Sequence, residues 1–193
     1  MTSLTETKRA RRAAAMERRA AAHRNHLGAA RQAAAHVLEL ISSLRHVEVI
    51  SAYVAIRGEL DPKPLMLSLC GLRYRVCVPE IVAKAQPLRF REWTPESRLV
   101  PGTFGVEIPE DGEELVPQVL IVPLLAFDRQ CHRLGYGGGF YDRTIASLRD
   151  RGPVHAIGFA YAAQEIEEVP VEETDMQLDA IVTEKGVIRP PGR

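Results

Sequence analysis

The stretch that decides the fold runs from Val119 to Arg149. It opens Val119-Leu-Ile-Val-Pro-Leu-Leu-Ala-Phe-Asp128 and passes through Arg129-Gln-Cys-His132. It continues Arg133-Leu-Gly-Tyr-Gly-Gly-Gly-Phe-Tyr-Asp-Arg143 and closes with Thr144-Ile-Ala-Ser-Leu-Arg149. An apolar run with β-branched residues predicts a buried strand. Tyr141, Ile145 and Leu148 recur at i, i+4 and i+7, the spacing of one helix face. The reading is strand, glycine-rich turn, helix. Gly135, Gly137, Gly138 and Gly139 would let the backbone adopt φ > 0 and approach a ligand closely. Free N–H groups at a helix start, with the positive end of its dipole, suit phosphate. Arg133 and Arg143 could add side-chain donors, and Asp142 offers a hard carboxylate of the kind magnesium takes. The pattern is neither a P-loop, which needs Gly-Lys-Ser/Thr, nor a dinucleotide fingerprint. On glycine spacing alone, a purely structural turn remains the lesser alternative reading of the same residues.

The chain has 193 residues, enough for one well-buried α/β unit spanning 1–193. Its 25 Lys and Arg balance 25 Asp and Glu, so the whole molecule has no electrostatic case for nucleic acid. Three cysteines (Cys70, Cys77 and Cys131) form no CxxC pair or zinc framework and fit a reducing, cytoplasmic setting. No apolar run is long enough to cross a membrane, and the N-terminus lacks a hydrophobic signal core.

Residues 4–23 are rich in Ala and Arg, with high helix propensity. Lys8 and Arg12 share a face; the rest reads as a solvated cationic surface or a basic arm. Gly28 is expected to break the helix. A second helix should bury Leu27, Ala34, Leu38, Ile41 and Leu44. His23 and His26 have no third ligand nearby and read as solvated. Strands are expected over Val47–Val54, Arg73–Pro79, Leu88–Trp93, Val154–Tyr161 and Leu178–Val182, with Glu184-Lys185-Gly186 turning into Val187-Ile188. Asp61-Pro62 should start a helix with Leu65, Leu69 and Leu72 on its apolar side. Residues 94–118 read as a long surface loop, with Phe104 either a stacking lid or a plug. Glu59, at the end of the first strand, is either a loop charge or a ligand-binding carboxylate at the sheet's carboxyl edge. Strands alternating with helices predict a mostly parallel α/β sheet.

Taken together, these motifs resemble, in order and over nearly the whole chain, the 5-formyltetrahydrofolate cyclo-ligase family, also known as methenyltetrahydrofolate synthetases. Lys8 and Arg12 match its N-terminal Lys-x-x-Leu-Arg, with Arg11 in place of leucine. Tyr53 to Asp61 matches its strand-to-loop segment, and Pro101-Gly-Thr-Phe-Gly-Val106 its aromatic loop. Pro123 to Arg143 matches its most specific block, and Gln164, Pro170, Asp175 and Asp179 its closing pattern. Three further departures stand beside Arg11. Glu107-Ile108-Pro109 stands for Pro-Glu-Pro, Phe140 for a common Tyr, and Gly138 for a lysine carried by some members.

The resemblance implies a three-layer Rossmann-like fold similar to the sugar-isomerase and CoA-transferase-like group. Residues 1–45 would contribute helices to an ATP site. It implies conversion of 5-formyltetrahydrofolate and ATP to 5,10-methenyltetrahydrofolate, ADP and phosphate, with Mg2+. Lys8, Arg12 and Arg133, Leu134, Gly135, Tyr136, Gly137, Gly138, Gly139, Phe140 and Tyr141 would face ATP, and Asp142 and Asp175 the metal. Ile56, Glu59, Phe104 and the segment from Tyr136 to Phe140 would shape the folate pocket. Arg133, Asp142 and Arg143 would carry the catalytic electrostatics. Arg9, Arg18 and Arg19 keep the solvated reading. The implied protein is a cytoplasmic monomer acting on small molecules, with no nucleic-acid or membrane partner. The alternative is a paralogue of the same fold that binds nucleotide or folate without cyclising it.

Overall fold

The computed structural model describes residues 4–192; the side chains of Leu4, Thr5 and Phe104 stand outside that description, so the expectation for the Phe104 ring does too. Helix α1 (Leu4–Asn25) is followed by α2 (Ala29–Ser42), with Gly28 between them at φ 89°. Then come β1 (Val49–Ser51), α3 (Lys63–Gly71), β2 (Arg75–Glu80) and β3 (Arg89–Trp93). A small hairpin of β4 (Leu99–Pro101) and β5 (Glu107–Pro109) occupies the segment expected to be loop. The central stretch gives β6 (Val119–Val122), β7 (Ala126–Phe127), β8 (Arg133–Leu134) and α4 (Phe140–Arg149). The chain ends with β9 (His155–Phe159), β10 (Ala180–Thr183) and β11 (Gly186–Ile188).

Seven strands form one sheet in the order β11-β10-β9-β6-β1-β2-β3. The five inner strands are parallel, and β3 and β11 close the edges antiparallel. Alternation along each strand sends side chains to two separate cores. Val119 and Ile121 of β6, Ile157 and Phe159 of β9, and Val76 and Val78 of β2 face α2 and α3. Leu120, Val122, Ala156, Cys77 and Ile181 face Ile145 of α4 on the other side. The result is the three-layer, mostly parallel arrangement expected from sequence. The strands are shorter than their apolar runs because residues at their ends stay buried past the paired ladder: beyond β1, Ala52 keeps one bond to the Cys77 carbonyl at 2.9 Å and Tyr53 is buried outside the strand.

Two expected core positions are corrected. Leu27 is 96 % exposed because it sits in the turn before Gly28 rather than on α2. Leu72 lies beyond the end of α3 and is also exposed. At the other end of α3 the N-cap is Pro62 and the helix starts at Lys63, one residue later than expected; Asp61, just before the cap, still accepts the Lys63 amide on Oδ1 at 2.9 Å.

The chain leaves β1 for β2 on one side and returns as β6 on the other. That reversal opens a crevice beyond the carboxyl ends of β1 and β6, where open α/β sheets place their ligands. Gly158, in the middle of β9, shows how tightly the sheet is packed behind it. A Cβ there would lie 2.5 Å from Ile181 Cδ1 and 2.9 Å from Leu124 Cδ2. Gly158→Ala is therefore expected to destabilise the protein by about 1–3 kcal/mol, read as a lower urea midpoint with an unchanged m-value.

Candidate functional site

Helix α1 lies across the crevice, and its inner face is unusual. Lys8, Arg12, Ala15, Arg19 and Ala22 follow one another at intervals of three and four residues. Lys8, Ala15, Arg19 and Ala22 are buried and Arg12 is half-buried. The cations reach loops at the carboxyl edge. Arg12 Nε donates to the Gly135 carbonyl at 2.9 Å, and Arg19 Nη2 to the Arg57 carbonyl at 2.9 Å. Lys8 Nζ sits 2.6 Å from Asp175 Oδ2 and 3.0 Å from Glu172 Oε2. Burial alone would lower the Lys8 pKa, but its bonds to these two carboxylates hold it above the ordinary lysine value. Arg9 is exposed, as expected. Arg19 is not solvated: it is 2 % exposed, and the sequence reading missed it.

At one end of the crevice the loop after β1 folds back on itself. Glu59 is 4 % exposed, and its Oε2 accepts the Ile56 amide at 2.9 Å. Its Oε1 accepts the Tyr136 hydroxyl at 3.0 Å and lies 3.5 Å from Arg19 Nη1. The Tyr136 oxygen in turn accepts from Arg19 Nη2 at 2.6 Å. Burial pushes the Glu59 carboxyl above the ordinary glutamate range, against the pull of the Ile56 amide, Arg19, Tyr136 and Arg57. Burial also raises the Tyr136 phenol, and the neighbouring Glu59 adds to it. The Tyr141 hydroxyl is buried without a hydrogen-bond partner.

The glycine loop forms the other wall. Gly139, at φ 63°, is the N-cap of α4 and supplies no side-chain cap. Gly137, at φ 95°, lies so close to Arg12 that a Cβ would meet its guanidinium carbon at 3.1 Å. A Cβ at Gly138 would stand 2.8 Å from the Phe140 ring, so a side chain at 138 would require that ring to move. Arg143 donates to the Gly138 carbonyl and lies 5.5 Å over the Phe140 ring.

Arg133, nearly buried, is the centre of a clasp. It donates to Asp142 Oδ1 at 2.6 Å and to the Met176 carbonyl at 2.7 Å, and the Met176 amide returns to Asp142 Oδ1 at 3.0 Å. The clasp brings the backbone next to Asp175 up to the Asp142 carboxylate. Two aspartates are hard oxygen donors of the kind that hold magnesium together with substrate phosphates, so their chemistry fits that ion. Among the described residues no group of three or more His, Cys, Asp or Glu side chains could hold a metal on its own.

Several motif residues are structural. Asp128 accepts the amides of Gln130, His132 and Val169, which fixes the loop carrying Cys131 and His132. Gln164 ties the carbonyls of Leu124 and Leu125 to the Tyr161 amide. Asp179 accepts the Ala156 amide and pairs with Arg149.

Residues 4–184 match the model of the 5-formyltetrahydrofolate cyclo-ligase family. The chain belongs to that family. It is 37 % identical over 144 residues to the 5-formyltetrahydrofolate cyclo-ligase of Escherichia coli K12, covering 72 % of this chain and 79 % of the relative. It is 32 % identical over 149 residues to that of Haemophilus influenzae, covering 74 % and 79 %. Among solved structures, the 5,10-methenyltetrahydrofolate synthetase of Aquifex aeolicus superposes with TM-score 0.70 at 27 % identity, over 94 % of each chain. The synthetase of Mycoplasma pneumoniae, at 18 % identity, shares the fold with TM-score 0.71, over 92 % of this chain and 98 % of that one.

The clasp has a structural duty that any activity assay must separate from chemistry. Asp142→Ala strands the nearly buried Arg133 and should lower the unfolding free energy by about 1–3 kcal/mol. Urea denaturation followed by circular dichroism measures it, and an unshifted midpoint would contradict the clasp.

Proposed function

We propose that this protein is a 5-formyltetrahydrofolate cyclo-ligase. It would use ATP and Mg2+ to convert 5-formyltetrahydrofolate to 5,10-methenyltetrahydrofolate, ADP and phosphate. The observation that carries this reading is the meeting, under α1, of two unlike half-sites in a chain of this family. One is a buried carboxylate suited to heterocycle N–H donors, the other a glycine loop flanked by cations.

The chemistry explains why both are needed. A formamide oxygen is a poor leaving group. When it attacks the γ-phosphorus, the bond to the β-phosphate oxygen breaks and ADP departs. N10 then adds to the activated carbon, loses its proton, and phosphate leaves as the ring closes. No protein nucleophile is required; positioning and stabilisation of charge on the transferring phosphoryl group do most of the work.

In this reading Arg12 and Arg143, which already lie against the glycine backbone, donate to phosphate oxygens. The segment from Arg133 through Leu134, Gly135, Tyr136, Gly137, Gly138, Gly139 and Phe140 to Tyr141 lines ATP. Lys8 and Arg133 bring their carboxylate partners with them, so cation and anion arrive together where a metal–phosphate group carries both signs. Asp142 and Asp175 would hold Mg2+, which would neutralise triphosphate charge. Glu59 accepts from the pterin's N–H groups, beside Ile56. The protein acts as a cytoplasmic monomer on small molecules.

The test is the growth of methenyltetrahydrofolate absorbance on mixing purified protein with 5-formyltetrahydrofolate. Product is expected only when ATP and Mg2+ are both present; binding of both substrates without product would identify a non-cyclising paralogue. Glu59→Ala should weaken folate binding by roughly ten- to 100-fold while ATP binding persists. Glu59 must be ionised to accept from the pterin, and its pKa is raised. Folate affinity should therefore be full at neutral pH and fall on acidification at a higher pH than an exposed glutamate would set. A titration of folate affinity against pH checks this, and a midpoint at or below the ordinary glutamate value would contradict it.

A further inference from the structure

Among the described residues, Arg19 is the cation of α1 that is buried at the folate end of the crevice. Its Nη2 is used twice, on the Arg57 carbonyl and the Tyr136 hydroxyl. Its Nε and Nη1 are buried without a hydrogen-bond partner, although Nη1 stands 3.5 Å from Glu59 Oε1. A guanidinium has five donors in a fixed plane, and leaving buried donors unused is costly. Here Nη1 lies beside the Glu59 carboxylate.

What occupies that place is the Tyr136 hydroxyl. One oxygen does two jobs there: it donates to Glu59 Oε1 at 3.0 Å and accepts from Arg19 Nη2 at 2.6 Å. A ligand that replaces it must offer a donor beside an acceptor. A cyclic lactam edge does so, with its N–H turned to the carboxylate and its adjacent C=O turned to the guanidinium. Tyr136 can yield the place because it stands on an exposed loop between Gly135 and Gly137, the latter at φ 95°.

We propose that Arg19 and Glu59 together read the lactam edge of the pteridine, with Arg19 selecting a carbonyl at position 4, and that the Tyr136 hydroxyl is a built-in plug which the substrate displaces. This rests on the folate reading above and adds to it a specificity-determining residue and a competitor within the chain. A pteridine with an amino group in place of that carbonyl would present a donor to Arg19, which has nothing to accept with.

The experiment compares folic acid, which carries the 4-oxo group, with aminopterin, its 4-amino counterpart, by isothermal titration calorimetry on the full chain. Three proteins are needed: wild type, Arg19→Met and Tyr136→Phe. Arg19→Met should weaken folic acid by about tenfold or more and leave aminopterin unchanged or tighter, so the preference between them shifts. Equal weakening of both ligands would overturn the assignment and leave Arg19 a general support. Tyr136→Phe removes the plug and should tighten folic acid by roughly threefold or more; weaker or unchanged binding would overturn the plug. Should Arg19→Met fail to fold by circular dichroism, Tyr136→Phe, a change on an exposed loop, decides alone. If wild type binds neither pteridine, the folate reading falls, and this proposal with it. If both bind and the preference survives Arg19→Met, only this proposal falls.

Discussion

A guanidinium and a carboxylate shut away from water are expensive unless their remaining donors and acceptors are met. Arg19 and Glu59 meet part of that demand by recruiting three segments far apart in sequence, while Nε and Nη1 of Arg19 stay without a hydrogen-bond partner. Arg19 comes from α1, Glu59 and the Arg57 carbonyl from the loop after β1, and Tyr136 from the glycine loop. None of the three could be placed independently. The loop after β1 must turn back so that the Ile56 amide reaches Glu59. The glycine loop must rise far enough for the Tyr136 hydroxyl to arrive, and α1 must lie at the depth that buries Arg19. The crevice therefore owes its shape to an electrostatic requirement, whereas the sheet beneath it is shaped by apolar packing on both faces.

This division explains what could be read from the residues alone. Val119–Val122 and the spacing of Tyr141, Ile145 and Leu148 announce a buried strand and a helix, because apolar periodicity records the faces that meet the core. The glycine block, Glu59 and Asp142 were legible through motif order. Arg19 was not. Its helix carries cations and alanines on the buried face, so the hydrophobic pattern that marks a core-facing helix is missing, and a run of arginines reads as solvated. The signal that could have found it is the three-four spacing of Lys8, Arg12, Ala15, Arg19 and Ala22, with small residues between long cations. Leu27 misled in the opposite sense. Its apolar side chain continued the α2 stripe on paper, but Gly28 ends one helix and starts another, leaving Leu27 outside both.

The same logic separates two kinds of motif residue. Asp128, Gln164 and Asp179 accept backbone amides that hold loops in place, Asp179 while also pairing with Arg149, and none of the three is part of the site described above. Asp142 and Asp175 each hold a backbone amide as well as a cation, and they border the crevice. A sequence pattern gives both sets equal weight; their surroundings distinguish a loop organiser from a group a substrate could reach.

Helix α1 is fastened to the rest of the molecule through side-chain donors set on loop carbonyls and carboxylates, with alanines as the described buried apolar contacts. Alanine buries little area, and bonds of this kind can be exchanged for bonds to water. The helix is thus a separate cooperative unit in energetic terms, able to open while the seven-stranded sheet stays closed, and its amides should exchange with solvent at a lower free energy than those of β6 or β9. Any ligand that takes hold of Lys8, Arg12 and Arg19 at once would then register as slowed exchange along a helix it barely touches.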